Sequence, residues 1–212
     1  MKRISWRILL IGGSSGTGKT TLARHLAAHY NLPILPLDDL RLAILETMSS
    51  VEAPAIHRFS QDPDIWQSST TVYEGFVAVA REFEIPLSMI AAHLIGVLDM
   101  APMILEGDFI RPRMMTLPYT SALARFPGFP LTGQVRGLLL HARAETDILR
   151  AMCERGRGLE VESEERLRKN AQASWHYGNW LRAEADLHRI PVIASRPYES
   201  QLARARAAIE AT

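Results

Sequence analysis

A glycine-rich segment near the N-terminus constrains the fold of this chain more than any other feature. It follows the apolar run Trp6 to Ile11, which is typical of a buried strand, and it reads Gly13-Ser14-Ser15-Gly16-Thr17-Gly18-Lys19-Thr20. From Thr20 to Tyr30 the apolar residues then recur at helical spacing. A glycine loop that joins a strand to a helix brings backbone N–H groups and the positive end of the helix to one point, where phosphate groups bind.

The residue types in this segment match the phosphate-binding loop, or P-loop, of nucleoside triphosphate sites. Glycines permit backbone angles that other residues avoid, and they let N–H groups approach phosphate oxygens. Lys19 is expected to contact the β- and γ-phosphates, and the hydroxyl of Thr20 is expected to hold Mg²⁺. The residues predicted to bind the nucleotide are Gly13, Ser14, Ser15, Gly16, Thr17, Gly18, Lys19, Thr20 and Thr21.

Strands and helices alternate along the rest of the chain. The other four predicted strands are the apolar runs Pro33 to Leu37, Met103 to Leu105, Val135 to His141 and Pro191 to Ala194. Apolar periodicity predicts helices at about 40–48, 72–83, 87–98, 145–154, 164–188 and 199–211. Uniformly apolar strands are typical of a parallel sheet covered by helices on both faces, and such sheets bind ligands at the carboxyl ends of their strands. We therefore predict an α/β fold.

Proline-containing segments interrupt this pattern. Residues 49–69 are polar and contain prolines, which predicts a loop or a broken helix lying over the site. Pro86 suits the first turn of a second helix after the one at 72–83. Residues 111–133 are rich in proline and glycine and are predicted to be irregular.

Composition disfavours several classes of protein. A chain of 212 residues is long enough for one α/β domain. A net charge of +1 gives no general attraction to nucleic acid or membranes, and the apolar region Leu87 to Leu105 is interrupted by polar residues. Cys153 is the only cysteine, which excludes an intramolecular disulfide and a multi-cysteine metal site. We expect a cytoplasmic protein without a nucleic-acid or membrane partner.

Two aspartates, Asp38 and Asp39, directly follow the second predicted strand, and Arg41 is close to them in sequence. An enzyme that phosphorylates a hydroxyl needs a carboxylate to accept or orient the proton, and it benefits from an arginine near the developing charge. The alternative is that an aspartate is the N-cap of the next helix. We assign Asp38 as the base and Asp39 as the cap.

A second acidic pair, Glu106 and Asp108, follows the third predicted strand. In a parallel sheet this position lies near the P-loop, where a carboxylate can hold Mg²⁺ through water. The alternative is a polar strand end at the surface. The predicted metal site therefore comprises Thr20 with Glu106 or Asp108.

Basic and aromatic residues cluster later in the chain. Arg150, Arg155 and Arg157 surround a glycine-containing turn, which is either a lid that closes over the phosphates or a solvated turn at a helix C-terminus. The aromatic residues at 175–180 either line an acceptor pocket or pack their helix on the core, which is the commoner use of such rings.

These motifs together resemble a known group of proteins. The run Ile11 to Ala23 resembles the P-loop of small P-loop kinases, among them the 2-phosphoglycerate kinase-like proteins, chloramphenicol phosphotransferase and the zeta-toxin group. Asp38-Asp39-Leu40-Arg41 resembles a segment of polynucleotide kinase and zeta-type kinases in which the first aspartate is the base and the arginine lies by the phosphates. Ile104-Leu105-Glu106-Gly107, the later Pro112, and Ile190-Pro191-Val192-Ile193 are similar to 2-phosphoglycerate kinase-like proteins.

This resemblance implies a P-loop NTPase fold, a three-layer α/β/α sandwich around a five-stranded parallel sheet of order 2-3-1-4-5. It also implies ATP with Mg²⁺, an arginine lid, and the roles of base for Asp38 and phosphate contact for Arg41. We predict one kinase domain over 1–212, with an acceptor-side helical insert at about 49–100 and a lid at about 150–170.

The function favoured by these features is a kinase that transfers the γ-phosphate of ATP to a hydroxyl of a small molecule, either a 2-phosphoglycerate-like metabolite or an antibiotic. One alternative is a zeta-toxin-like or nucleic-acid-end kinase, which the near-neutral charge disfavours. Another is an ATPase switch acting on a protein partner; a GTPase switch would carry an Asn-Lys-x-Asp segment, which this sequence lacks. The predicted catalytic residues are Asp38, Lys19, Arg41, Arg155 and Arg157.

Overall fold

The computed structural model describes residues 4–96, 102–116, 134–155 and 163–211. Its strands are β1 Ile8–Gly13, β2 Ile34–Pro36, β3 Met103–Glu106, β4 Val135–His141 and β5 Val192–Ala194. They form one parallel sheet of order β2-β3-β1-β4-β5. The predicted fold class and strand order are confirmed.

Helices cover both faces of this sheet, so the three-layer arrangement is confirmed too. On β1, Leu9 and Ile11 belong to a core shared with the first and last helices, whereas Ile8 and Leu10 belong to a core on the opposite face. The α-helices are α1 Lys19–Tyr30, α2 Asp38–Thr47, α3 Pro54–Gln61, α4 Ser69–Gly96, α5 Glu145–Arg155, α6 Glu164–His188 and α7 Gln201–Glu210.

The segment from 69 to 96 differs from the prediction. One continuous helix of 28 residues, α4, replaces the two predicted helices, and Pro86 lies inside it and not in a first turn. A proline in a helix interior removes one backbone hydrogen bond. Its neighbours Phe83 and Leu87 are each only 1% exposed in the core, and we attribute the continuity of the helix to this packing.

Two predicted irregular segments contain short helices. Residues 49–69 hold α3 and the 3₁₀ helix Pro63–Trp66, which confirms the broken-helix form of that prediction. The proline-rich segment begins with the 3₁₀ helix Pro112–Met115, and its part at 117–133 lies outside the described residues. Within the described ranges, no helix has both the length and the apolar character needed to cross a membrane.

Candidate active site

The P-loop runs from the end of β1 into the first turn of α1, and it contains all the residues predicted to bind the nucleotide. Gly16 and Gly18 have φ angles of 84° and 87°, a left-handed conformation that glycine adopts without steric cost. The first intrahelical hydrogen bond of α1 joins the N–H of Leu22 to the carbonyl of Gly18 at 3.0 Å. The earlier N–H groups of the helix have no acceptor within it. The geometry therefore fits a phosphate group in front of α1.

Lys19, the first residue of α1, is only 4% exposed. Its Nζ donates a hydrogen bond to the carbonyl oxygen of Ser14 at 3.0 Å and forms an ion pair with Oδ1 of Asp108. A buried ammonium group is stable only when paired in this way. These two contacts fix the ammonium group between the P-loop and the acidic residues that follow β3.

Glu106 lies at the end of β3 and is 3% exposed. Its Oε1 accepts a hydrogen bond from Oγ1 of Thr20 at 3.1 Å, whereas its Oε2 is buried without a hydrogen-bond partner. Burial raises the pKa of this carboxyl, and the nearby charge of Lys19 lowers it in part. An unpaired carboxylate oxygen beside a threonine hydroxyl fits a cation.

These contacts distinguish the two acidic residues after β3. Glu106 contacts the threonine predicted to hold Mg²⁺, whereas Asp108 is paired with Lys19. Among the described residues, no three His, Cys, Asp or Glu side chains form a metal cluster. Mg²⁺ usually takes one or two protein carboxylates and completes its shell with phosphate and water, so Thr20 and Glu106 are sufficient protein ligands for it.

Asp38 is the first residue of α2, and its Oδ1 accepts a hydrogen bond from the backbone N–H of Asp108 at 2.8 Å. Burial, reinforced by the charge of Asp108, raises the pKa of Asp38 from 3.8 to about 7, against the opposing effect of Lys19. A carboxyl with this pKa exchanges its proton near neutral pH. The geometry thus brings Asp38 to the P-loop lysine, as the base assignment requires.

The assignment of Asp39 as a helix cap is wrong. Helix α2 begins at Asp38, two residues before this assignment requires, so the N-cap position is Leu37, with no side-chain cap hydrogen bond. Asp39 is exposed in the first turn of the helix, where a negative charge still interacts favourably with the helix dipole.

A cavity of about 230 Å³ joins Asp38 to the P-loop. Arg41, three residues after Asp38 on α2, also lines it, as does Ser15 of the P-loop. The predicted base, the predicted phosphate-contacting arginine and the P-loop therefore share one space. The described residues that line it are Ser15, Asp38, Arg41, Phe59, Trp66, Phe76, Val79, Asp108, Phe109, Asn170, Ser174 and Tyr177.

Helix α6 contributes to this site through Tyr177, one of the aromatic residues at 175–180, and through Gly178, whose role the sequence interpretation missed. The hydroxyl of Tyr177 donates a hydrogen bond to the carbonyl oxygen of Asp108 at 3.0 Å, and its ring lines the cavity. A Cβ atom added at Gly178 would lie 3.0 Å from Oγ of Ser14, so this glycine permits the close approach of α6 to the P-loop. A glycine within a long helical stretch was the available sequence signal.

The predicted arginine lid is only partly described. Arg155 is the last residue of α5 and is exposed, yet its charge lowers the pKa of Glu106, which places it within electrostatic reach of the site. Arg150 is exposed on the same helix. Arg157 and the turn at 156–162 lie outside the described residues.

Glu82 of α4 anchors one wall of the cavity. Its two carboxylate oxygens accept hydrogen bonds from the N–H groups of Ala55 and Ile56, at 2.8 and 3.1 Å. These N–H groups belong to the first turn of α3, where no helix-internal acceptor is available. The same helix carries Phe59 into the cavity wall.

We expect Glu82→Ala to lower the free energy of unfolding by about 1–2 kcal/mol, because it removes the cap of α3. Chemical denaturation measures this change. Glu74→Ala is the matched control, since Glu74 is an exposed glutamate on the same helix. Equal unfolding midpoints for the two variants would show that the Glu82 contacts do not stabilise α3.

Comparison with known proteins adds evidence about the fold. No family model matches the chain, and no curated protein matches it. The solved structure of TT1252 from Thermus thermophilus is similar to it, with 18% identity, a TM-score of 0.52 and coverage of 98% of both chains. Shikimate kinase from Acinetobacter baumannii has 15% identity, a TM-score of 0.47 and coverage of 96% of this chain and 94% of its own. A gluconokinase from Sinorhizobium meliloti has 14% identity, a TM-score of 0.44 and coverage of 99% and 94%. Of these likenesses, that to TT1252 supports the fold.

Proposed function

We propose that this protein is an ATP-dependent kinase that transfers the γ-phosphate to a hydroxyl of a small molecule. The observation that carries the proposal is the shared cavity, which places Asp38, Arg41 and the P-loop residue Ser15 around one space. A P-loop alone would serve any nucleoside triphosphatase. Transfer to a hydroxyl also needs a carboxyl that accepts or orients its proton, and Asp38, with a pKa raised to about 7, lies in the cavity beside that loop.

On the donor side, the residues fit ATP with Mg²⁺. The N–H groups at the start of α1 and the ammonium group of Lys19 would bind the phosphates. Thr20 and Glu106 would hold Mg²⁺, which supplies positive charge to the phosphate oxygens. Asp108 then serves as the partner that positions Lys19 and not as the metal carboxylate.

On the acceptor side, Asp38 moves the proton. Its Oδ1 is engaged with the N–H of Asp108, so we assign Oδ2 to accept the proton of the acceptor hydroxyl. As that proton leaves, the hydroxyl oxygen bonds to the γ-phosphorus, and the bond from this phosphorus to the bridging oxygen of ADP breaks. Arg41 stabilises the transferring group, together with Arg155 and Arg157.

The domain assignment belongs to the same proposal. One domain over 1–212 would combine the P-loop core with an acceptor wall from the insert at about 49–100 and a lid at about 150–170. Within the described part of the insert, Phe59, Trp66, Phe76 and Val79 line the cavity, which supports its role on the acceptor side.

The first test is ATP turnover with and without a panel of hydroxyl acceptors. The panel contains phosphoglycerates, aminoglycosides, chloramphenicol-like compounds, nucleosides and nucleotide sugars. We expect one acceptor class to raise ADP release well above the basal rate and to gain 1 phosphate by mass spectrometry, on the order of one transfer per ADP released. ATP turnover that no acceptor changes, but that a protein partner stimulates, would contradict the kinase proposal in favour of the ATPase switch.

A further inference from the structure

Five residues that line the cavity are aromatic, and their rings form a continuous series. Trp66 meets Phe59 edge to face with ring centroids 5.4 Å apart, and Phe59 stacks on Phe76 at 5.1 Å. Phe76 lies 5.7 Å from Tyr177, whose ring centroid is 6.3 Å from that of Phe109. We call these five residues the aromatic arc. They come from α3, α4, α6, a 3₁₀ helix and the loop after β3, and converge on one cavity.

Four of the five arc residues are more exposed than the aromatic residues of the core, whereas the fifth, Tyr177, is 2% exposed. Phe83, a core ring on α4, is 1% exposed. In the arc, by contrast, Phe59, Trp66, Phe76 and Phe109 are each only partly buried. Ring surface left around a cavity offers offset or edge-to-face contacts to another ring. The volume of about 230 Å³ lies below the roughly 300–1,000 Å³ of most ligand pockets, so it suits a molecule with a single ring.

The charges around the cavity disfavour an anionic acceptor. Among the described lining residues, Arg41 is the one cation, and it shares the cavity with the carboxyls of Asp38 and Asp108. Two further cations lie next to lining residues and are already engaged: Lys19 is paired with Asp108, and the guanidinium group of Arg166 lies 4.1 Å from the ring centroid of Trp66. A phosphate or carboxylate on the acceptor would need its own arginine or lysine partners, whereas the proposed mechanism uses Arg41 for the transferring phosphate.

A neutral polar group is available in the same cavity. Ser174 is 1% exposed, and its Oγ is buried without a hydrogen-bond partner. Buried hydroxyl groups are normally hydrogen-bonded, and an unpaired one at a cavity wall indicates a missing partner. A rotation of the Ser174 side chain about χ1 would present this hydroxyl to an uncharged polar group of an acceptor.

From the aromatic arc, the charge balance and Ser174, we propose that the acceptor is an uncharged molecule with one aromatic ring and a hydroxyl group. The ring packs on the arc, the hydroxyl points to Asp38, and a second polar group bonds to Ser174. This inference rests on the proposed kinase function and narrows its acceptor. It favours an aromatic alcohol over a phosphoglycerate.

Binding measured without ATP tests the acceptor class separately from phosphate transfer. The probes are 2-phenylethanol, its saturated analogue 2-cyclohexylethanol, and 2-phosphoglycerate, each followed by saturation-transfer NMR on the full chain. We expect 2-phenylethanol to bind roughly tenfold more tightly than 2-phosphoglycerate, and more tightly than the cyclohexyl analogue because only an aromatic ring makes quadrupolar contacts with the arc. Tighter binding of 2-phosphoglycerate would overturn the inference.

Substitutions in the aromatic arc test whether 2-phenylethanol binds in this cavity. Trp66→Leu is expected to weaken 2-phenylethanol binding several-fold, because it removes a ring, whereas Trp66→Phe retains a ring and most of the affinity. Tyr73→Leu is the matched control: Tyr73 is partly buried on α4, one turn before Phe76, and it borders a different groove with His176 and Trp180. Unchanged affinity in a folded Trp66→Leu protein would overturn the proposed site.

Phosphate transfer, assayed with ATP and the same probes, separates the two proposals. Transfer to 2-phosphoglycerate, without binding of 2-phenylethanol, would leave the kinase proposal standing and remove the aromatic acceptor. Binding of 2-phenylethanol that Trp66→Leu weakens, without transfer to any acceptor of the panel, would support the aromatic site and contradict the kinase proposal.

Discussion

Lys19→Met is expected to lower ATP turnover by roughly 10²–10³-fold or more, because it removes the cation that contacts the transferring phosphate. Lys19 is 4% exposed, and its charge is held by the carbonyl of Ser14 and by Asp108. Methionine keeps the length and apolar character of the buried stem, so the variant removes the charge with little change in packing. Steady-state turnover with ATP and Mg²⁺ measures the effect.

The control for this substitution is Lys169→Met. Lys169 lies on α6 and forms an ion pair with Glu165, whose side chain is 77% exposed. Surface pairs of this kind contribute little to stability, so this variant is expected to retain wild-type turnover and a wild-type unfolding midpoint. Wild-type turnover in the Lys19→Met protein would remove the P-loop lysine from the mechanism.

Lys19→Met also changes the acidic residues that surround it. The charge of Lys19 opposes the rise in pKa of both Asp38 and Glu106. Without that charge, both carboxyls are expected to hold their protons to higher pH. The residual activity of the variant should therefore rise at a higher pH than the activity of the wild-type protein.

The parts of the fold that could be predicted from the sequence depend on local pattern. Short apolar runs identified all five strands of the sheet, and the P-loop placed the first strand beside the first helix. Parallel strands present their carboxyl ends at one edge of the sheet. For this reason the pairs of acidic residues that follow β2 and β3 could be expected near Lys19, where the structure places Asp38 and Asp108.

The parts that could not be predicted depend on contacts between distant segments. The continuity of α4 through Pro86 reflects burial of Phe83 and Leu87, which no local signal reveals. Likewise, Glu106 and Asp108 are two residues apart and both acidic, so only the contacts with Thr20 and Lys19 separate their roles.

The aromatic arc, on the acceptor side of the site, could not be predicted from the sequence either. Its rings come from positions between 59 and 177, and within its own segment each ring occupies a position where an ordinary core residue would be expected. The interpretation of the 175–180 cluster as either core or pocket was too simple, because Tyr177 is 2% exposed in the core and also lines the cavity. A buried ring can serve both purposes when its edge borders a cavity.

Asp38→Asn is expected to lower turnover by roughly 10²–10⁴-fold, the usual contribution of a general base, while ATP binding survives. Asparagine keeps an oxygen that can accept the 2.8 Å hydrogen bond from the N–H of Asp108, so the local structure is expected to persist. Asp39→Asn is the matched control, because Asp39 is the next residue of α2 and is exposed. Full activity in Asp38→Asn, or an equal loss in both variants, would contradict the base assignment.

The pH dependence of the wild-type protein follows from the same carboxyl. Burial and the charge of Asp108 raise the pKa of Asp38 to about 7, so below that pH it is protonated and cannot accept a proton from the acceptor. We expect kcat/KM to rise with pH and to level off above a midpoint near 7. The pH profile of kcat/KM for Asp38→Asn should lack this rise, whereas the profile for Asp39→Asn should keep it.

Folding stability provides an independent measurement of this pKa. Because the folded-state pKa of Asp38 lies above its ordinary value of 3.8, the folded protein binds this proton more tightly than the unfolded chain does. This tighter proton binding at Asp38 stabilises the folded protein fully below pH 4, and the stabilisation is lost as the pH rises to about 7. Asp38→Asn is neutral at every pH, so its Tm relative to wild type is expected to increase between these values and to stay constant above them. A Tm difference that does not change with pH would mean that Asp38 titrates at its ordinary value, and the carboxyl would then be ionised throughout the neutral range.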